Sequence, residues 1–207
     1  MSNKIQVGER SLPTAPASQT VFTHSGDNGV QIANSGTANV FLPASNGMVY
    51  NAGNAINTEF YNLFVVGDES FNESFFLIGK DRVLTTTEGV APEISAQFAT
   101  LTPEAIKAIK TFPSLFVSEN RHYGRTDTDH LALFGIVTDI RIQENGIKIY
   151  FQRFCSIPQQ RLNDIMFNLA IKGKPSYNEL NRTHWAIKRI NLIEELRAAG
   201  ISVFAPT

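Results

Sequence analysis

Any fold this chain adopts has to accommodate Asn145-Gly146, which sits between two alternating stretches in FGIVTDIRIQENGIKIYFQRF, residues 134–154. Asn-Gly favours a two-residue type I′ hairpin turn, because both central positions of that turn need φ > 0. With the turn centred there, Gln143 faces Lys148, Ile142 faces Ile149, Arg141 faces Tyr150 and Ile140 faces Phe151. One face of the hairpin then carries Ile140, Ile142, Ile149 and Phe151. The other carries Asp139, Arg141, Gln143, Lys148, Tyr150 and Gln152. A slip of one residue in one strand would turn the polar set into the core, so the two faces are strongly specified.

The rest of the chain has to build a core against that apolar face, and 207 residues with 43% hydrophobic side chains and 15 Phe are enough for one sizeable domain. No uninterrupted apolar run is long enough to span a membrane as a helix, and residues 1–20 lack the apolar stretch of a secretory leader. A cytoplasmic location is the expectation. The single cysteine, Cys155, lies between Phe154 and Ile157 and reads as a small core hydrophobe rather than a nucleophile. The net charge of −1 conceals a split: residues 1–104 hold four Lys/Arg against ten Asp/Glu, and the remainder fourteen against nine. Such a split bears on partners rather than on fold. It describes either two halves that neutralise each other or a basic surface facing an anion.

Along the chain, residues 1–20 read as a disordered arm of Ser, Pro, Thr and Ala without periodicity. Residues 21–57 read as a β-rich association segment and linker: GVQIANS and GTANVFL are short, Gly-led alternations too small to bury a core alone. Residues 58–207 form the main domain. FYNLFVVG (60–67), FFLIGKDRVLT (75–85) and Phe112–Val117 read as strands. Thr102-Pro103-Glu104 reads as N-cap, first helical residue and dipole-favourable acid of a short helix, with Ile106 and Ile109 inward. After the hairpin, Leu162, Ile165, Met166, Leu169 and Ala170 fall on one helical face that Gly173 can end. Ser176 with Glu179 matches a capping box, and Thr183 is placed to cap a last helix with Ala186, Ile190, Ile193 and Leu196 inward and Gly200 as terminator. The expected class is α+β: a small, mostly antiparallel sheet or partly open barrel backed by C-terminal helices, preceded by a short β-rich N-terminal segment.

The densest polar cluster is SENRHYGRTDTDH, Ser118 to His130, between a strand and the central hairpin. Loops held by a rigid sheet are where recognition groups gather. Arg121 and Arg125 offer forked donors for phosphate or carboxylate, while His122 and Tyr123 offer planes on which a base can stack. Arg141, Lys148 and Tyr150 on the polar hairpin face extend the same chemistry. The competing reading is an ion-paired surface loop in which Arg121 and Arg125 answer Glu119, Asp127 and Asp129. A metal reading of Glu119, His122, Asp127, Asp129 and His130 matches no established spacing, and a nuclease built there would need carboxylates converging on one ion. The chain has no GxSxG, no P-loop and no GxGxxG after a strand, so no catalytic set and no cofactor is assigned. In NRTHWAIK, Trp185 reads as a packing anchor, and His184, Arg182, Lys188 and Arg189 as exposed helix residues.

VFTHSGDNGVQIANSGTANVFLP resembles the Gly/Asn β leaders of some bacterial anti-phage defence proteins, and SENRHYGRTDTDH with ELNRTHWAIKRINLIEEL resembles a recurrent bacterial module that carries no known catalytic residues to transfer. The resemblance implies a bacterial or prophage setting and a sensing or adaptor role. The expectation is therefore a non-enzymatic binding module for an anionic ligand, nucleic acid or nucleotide. The alternatives are an oligomerisation or docking component acting through residues 21–51, and a metal-dependent nuclease.

Overall fold

Two long strands joined by a tight turn at Glu144-Asn145 run through the middle of a six-stranded sheet. The computed structural model describes residues 56–203, together with the strand backbone of residues 32–34 and 38–40. The chain divides into two units, Met1–Gly53 and Asn54–Thr207. In the first, β1 (Ile32–Asn34) pairs antiparallel with β2 (Ala38–Val40). The expected disordered arm (1–20) lies outside the described residues, as does all of the expected association segment and linker (21–57) except the backbone of these two strands and residues 56–57.

In the second unit, β3 (Tyr61–Val66), β4 (Phe75–Ile78), β5 (Pro113–Ser118), β6 (Leu131–Gln143), β7 (Gly146–Pro158) and, later in the chain, a strand at His184–Lys188 form one sheet. Helices α1 (Pro92–Phe98) and α2 (Pro103–Ile109) precede β5, and α3 (Gln159–Asp164) follows β7. The small hairpin β8 (Gly173–Lys174) and β9 (Tyr177–Asn178) comes next, then β10 (His184–Lys188) and α4 (Leu192–Ala198). The sheet order is β10-β3-β5-β6-β7-β4. It is open rather than barrel-like, and it is mostly antiparallel, with β3 and β5 parallel. That parallel pair needs a crossover, and the excursion through β4, α1 and α2 supplies it. Helices therefore flank both halves of the chain instead of following the strands.

The central strands are covered on both faces, which is why β3 and β5 read as unbroken apolar runs. Phe64 stacks on Phe116 at 5.3 Å, Trp185 lies 5.0 Å from Phe64, and Phe116 packs 4.5 Å from Phe151. On β3, Tyr61 alternates with the partly polar Asn62; Tyr61 donates its hydroxyl to Leu169 O at 2.6 Å, and Asn62 Oδ1 accepts from Trp185 Nε1 at 3.2 Å. Cys155 is half-buried against the same core.

Several local expectations shift for identifiable reasons. The hairpin pairs Gln143 with Gly146, Ile142 with Ile147 and Arg141 with Lys148, so its centre is Glu144-Asn145, one residue earlier than expected. Neither central residue has positive φ; Gly146 takes it, at 155°. A Cβ at Gly146 would meet Ile78 O at 2.7 Å, so the close approach of β4 also requires glycine. Moving the centre by one residue changes the pairings next to the turn by two, so the faces survive there because the strand period is two. A bulge between Val137 and Asp139 then sets Phe151 opposite Val137 instead of Ile140, and Ile142, at the end of the apolar face, is 56% exposed instead of lying in the core. The 75–85 run is a strand only over Phe75–Ile78 and then tightens into a 3-10 turn at Lys80–Arg82. Helix α1 was not anticipated, although Pro92 at its start and the buried pair Ile94/Phe98 mark it. Thr102 caps α2, accepting from Ala105 N at 3.2 Å. Helix α3 ends at Asp164, well before Gly173, and Ala170 is exposed with φ of 52°. The capping box lies at Asn178 with Asn181, while Ser176 sits in the β8–β9 turn.

The largest correction is at 184–188. This stretch is an edge strand rather than a helix, every residue of it buried. His184 and Lys188 are thus interior groups, not an exposed basic face. Asn191, not Thr183, caps the final helix, accepting from Glu194 N at 3.3 Å. Among the described residues no helix is long and apolar enough to cross a membrane.

Candidate functional site

The Ser118–His130 loop is anchored from beneath by a buried amide network. Asn120 Nδ2 donates to Asn163 Oδ1 at 3.0 Å, Asn163 Nδ2 returns to Asn120 Oδ1 at 3.0 Å, and Asn178 Nδ2 donates to Asn163 Oδ1 at 2.8 Å. Gln159 Nε2 joins at Asn120 Oδ1 and Ser118 O, at 3.0 and 2.8 Å. Four side chains from the loop, α3 and β9 are thereby tied together where water is excluded, with Gln159 Oε1 left as a buried acceptor without a hydrogen-bond partner among the described residues. Above the network, His122 and Arg125 exchange backbone hydrogen bonds at 3.1 Å and close a tight turn. Tyr123 is held there at φ 52°, its carbonyl accepting from Asn181 Nδ2 at 2.5 Å. A Cβ on Gly124 would fall 1.7 Å from Pro175 O, so only glycine lets the loop pack on the β8–β9 turn.

These contacts frame a groove of about 850 Å³, within the ~300–1,000 Å³ typical of ligand clefts. One wall is the loop, His122 to Arg125; the second is α3 and the turns after it, with Gln160, Asp164 and Phe167; Pro175 and Ser176 close the end. Gln160 braces the walls, accepting from Thr126 N at 3.0 Å and donating to Asp164 Oδ1 at 2.8 Å. Tyr123 and Phe167 line the groove while remaining 72% and 69% exposed, and the half-exposed Tyr177 ring lies 6.3 Å from Tyr123. Two of the most exposed large aromatics among the described residues thus line one concavity, and a third, Tyr177, packs beside one of them. An exposed aromatic held at positive φ by a buried frame is strain of the kind that collects at recognition sites.

The loop's charges divide into engaged and open groups. Arg121 pairs with Asp127 at 3.2 Å, and His122 Nε2 lies 3.2 Å from the same carboxylate. The Arg121 hydrogen bond, aided by His122, holds the Asp127 carboxyl below its usual range. Glu119 is committed elsewhere, accepting from Thr183 Oγ1 at 2.7 Å. His130 is buried with Nδ1 unpartnered, and burial with the nearby Arg121 charge lowers its pKa. Arg125 has no side-chain hydrogen bond or ion pair among the described residues. Arg121 therefore follows the ion-paired reading and Arg125 does not. Among the described residues no three His, Cys, Asp or Glu side chains lie together as a metal site would need.

Arg141, Lys148 and Tyr150 do not join this site. Leu131 and Arg141 are ten residues apart on β6, roughly 30 Å along a strand. At that far end Arg141 pairs with Asp139 at 3.0 Å and lies 4.7 Å from the Tyr150 ring. Lys148 sits 3.6 Å over Phe75 and 5.2 Å from Tyr150. The seven residues read as one surface from sequence form two separate groups.

Compared with known proteins, the chain matches no family model, no curated protein and no solved structure.

The second wall was missed at the sequence level, yet it left a trace. Phe167 falls outside the inward set Leu162, Ile165, Met166 and Leu169, and a large aromatic on the outer side of an amphipathic pattern marks a surface with a use. A second polar centre, also missed, lies beside β10 and is closed to solvent. Lys188 Nζ donates to both Glu179 oxygens at 2.6 and 2.7 Å, Lys172 N donates to Glu179 Oε2 at 2.6 Å, and His184 Nε2 lies 3.5 Å from Glu179 Oε1. Burial alone would raise the Glu179 carboxyl, but His184, Lys188 and the Lys172 N–H outweigh it and hold it below its ordinary value. The cluster ties Glu179 to two residues of the β10 edge, His184 and Lys188, with all three side chains buried.

Proposed function

We propose that this protein is a non-enzymatic binding module whose groove takes an anionic ligand carrying a planar base, a nucleotide or a single strand of nucleic acid. The observation that carries the reading is Arg125, a guanidinium with no side-chain partner among the described residues, beside the exposed Tyr123 ring on a concave wall. A free guanidinium offers bidentate donors to phosphate, and an exposed ring offers a stacking plane of the kind that single-strand binders use. The bacterial setting and adaptor role implied by the sequence resemblance fit a module that senses rather than transforms its ligand.

The test is a binding titration of a labelled single-stranded oligonucleotide against the wild type and Arg125→Ala. Affinity is expected to fall about tenfold or more, as for loss of a charge-assisted bond of ~1.5–3 kcal/mol, while the unfolding midpoint stays put. Wild-type binding should also weaken with added salt. Equal affinity of the two proteins would remove Arg125 from the site.

A further inference from the structure

We propose that the groove selects guanine among the bases; this rests on the nucleotide-binding reading of the same groove. Lining the same groove as Arg125 is an acid, Asp164, on the wall that also carries Gln160, Asn163, Met166 and Phe167. Asp164 Oδ1 accepts one hydrogen bond, from Gln160 Nε2 at 2.8 Å, and Oδ2 has no partner among the described residues. An ionised carboxylate has about four lone-pair sites, so most of the accepting capacity of this exposed group is left for solvent or a ligand. A ligand that satisfies this groove has to bring an anion to Arg125 and a donor edge to Asp164 at once. An arginine or lysine side chain would suit Asp164 but is repelled by Arg125, and an orthophosphate would suit Arg125 but not Asp164.

A base linked to phosphate meets both demands, and the bases differ in what they show a carboxylate. Guanine presents N1–H and the N2 amino group side by side on its Watson–Crick edge, two donors matched to two carboxylate oxygens. Adenine and cytosine each place one amino donor beside an acceptor ring nitrogen, which the carboxylate repels. Uracil and thymine place one N–H between two carbonyls. Tyr123 and Phe167 stack on any base, so they add affinity without choosing. Gln160 fixes the Asp164 carboxylate by the bond above, and Thr126 N in turn holds Gln160 at 3.0 Å. The acceptor is therefore preorganised, which favours discrimination by a bidentate contact.

The experiment uses the full chain and fluorescein-labelled oligouridylate strands carrying a single central guanosine, inosine, adenosine or cytidine, read by anisotropy. Guanosine is expected to bind about tenfold tighter or more than adenosine or cytidine, and inosine, lacking the N2 amino group, to lose a large part of that preference. Asp164→Asn keeps the side-chain shape and the acceptor for Gln160 but exchanges one acceptor for a donor; it is expected to abolish the guanosine preference. Competition by guanosine monophosphate as strong as by the strand assigns a free nucleotide, and competition by the strand alone assigns nucleic acid; either supports the proposal. Equal wild-type affinity for all four strands, or a preference that persists in Asp164→Asn, overturns guanine selection while leaving the anion site standing. No binding of any strand or of the mononucleotide overturns both.

Discussion

The two ends of β6 carry the same kinds of side chain and arrive at opposite states. At the hairpin end, Arg141, Lys148, Tyr150 and Phe75 stand on an open sheet face, and each cation lies over a ring or against Asp139. At the loop end, Arg125, Tyr123 and Phe167 line a concavity, with Arg125 lacking a side-chain partner among the described residues and both rings largely exposed. Composition alone cannot separate these ends. What separates them is backing: the hairpin residues hang on a two-strand register, whereas the loop is pinned by an amide network that prevents its arginine and aromatics from collapsing onto each other. A basic-aromatic cluster becomes available to a ligand when the fold holds its members apart.

The sealed ion pair beside β10, apart from both ends of β6, carries the largest expected effect. Removing one partner of the sealed ion pair, Glu179→Ala, leaves Lys188 charged and buried and should cost about 3–5 kcal/mol in a denaturant titration. A loss below 1 kcal/mol would mean that the β10 edge does not depend on the pair. The same group gives a pH signature. Glu179 has its folded-state pKa below the ordinary 4.5, so its stabilisation is present above that value and drains away as the pH falls through the lower folded one. His130, also lowered, from 6.5, acts in the same direction: the unfolded chain takes up its proton first, so stability already declines as pH falls below 6.5. A melting temperature that rose on acidification would contradict both assignments.

Asn163→Ala should have the next largest effect. It takes one buried partner from each of Asn120 and Asn178 and is expected to cost about 1–3 kcal/mol, with weaker binding in the groove because the loop loses part of its floor. If stability fell while affinity did not change, the network would be a core feature without a part in presenting the loop. The smallest effect belongs to the hairpin end. Lys148→Ala removes half-buried cation–π contacts to Phe75 and Tyr150, worth about 0.5–2 kcal/mol, and is expected to leave ligand binding alone.

The contrast also shows what the sequence could and could not convey. The hairpin faces were legible because a strand has period two, so misplacing the turn by one residue left Ile140, Ile142, Ile147 and Ile149 together. The loop was legible from its composition, and Thr102-Pro103 from its capping chemistry. The 184–188 strand was not: buried on both faces, it lacks alternation, and Ala186, Ile190 and Ile193 happen to match a helical spacing. The amide network was illegible for another reason. Asn120, Gln159, Asn163 and Asn178 are scattered along the chain, and only the closed fold brings them into contact. Arg121 and Arg125 looked alike in sequence, and only the position of Asp127 made one a strut and left the other open.

One measurement bears on the whole account: anisotropy of a labelled single-stranded oligonucleotide titrated in parallel with wild-type protein, Arg125→Ala, and the double variant Arg141→Ala/Lys148→Ala at low salt. The groove at the loop end predicts that the first substitution loses most of the affinity while the double variant binds as the wild type does. Retained binding by Arg125→Ala, with loss in the hairpin variant, would contradict it and move the ligand to the opposite end of the sheet.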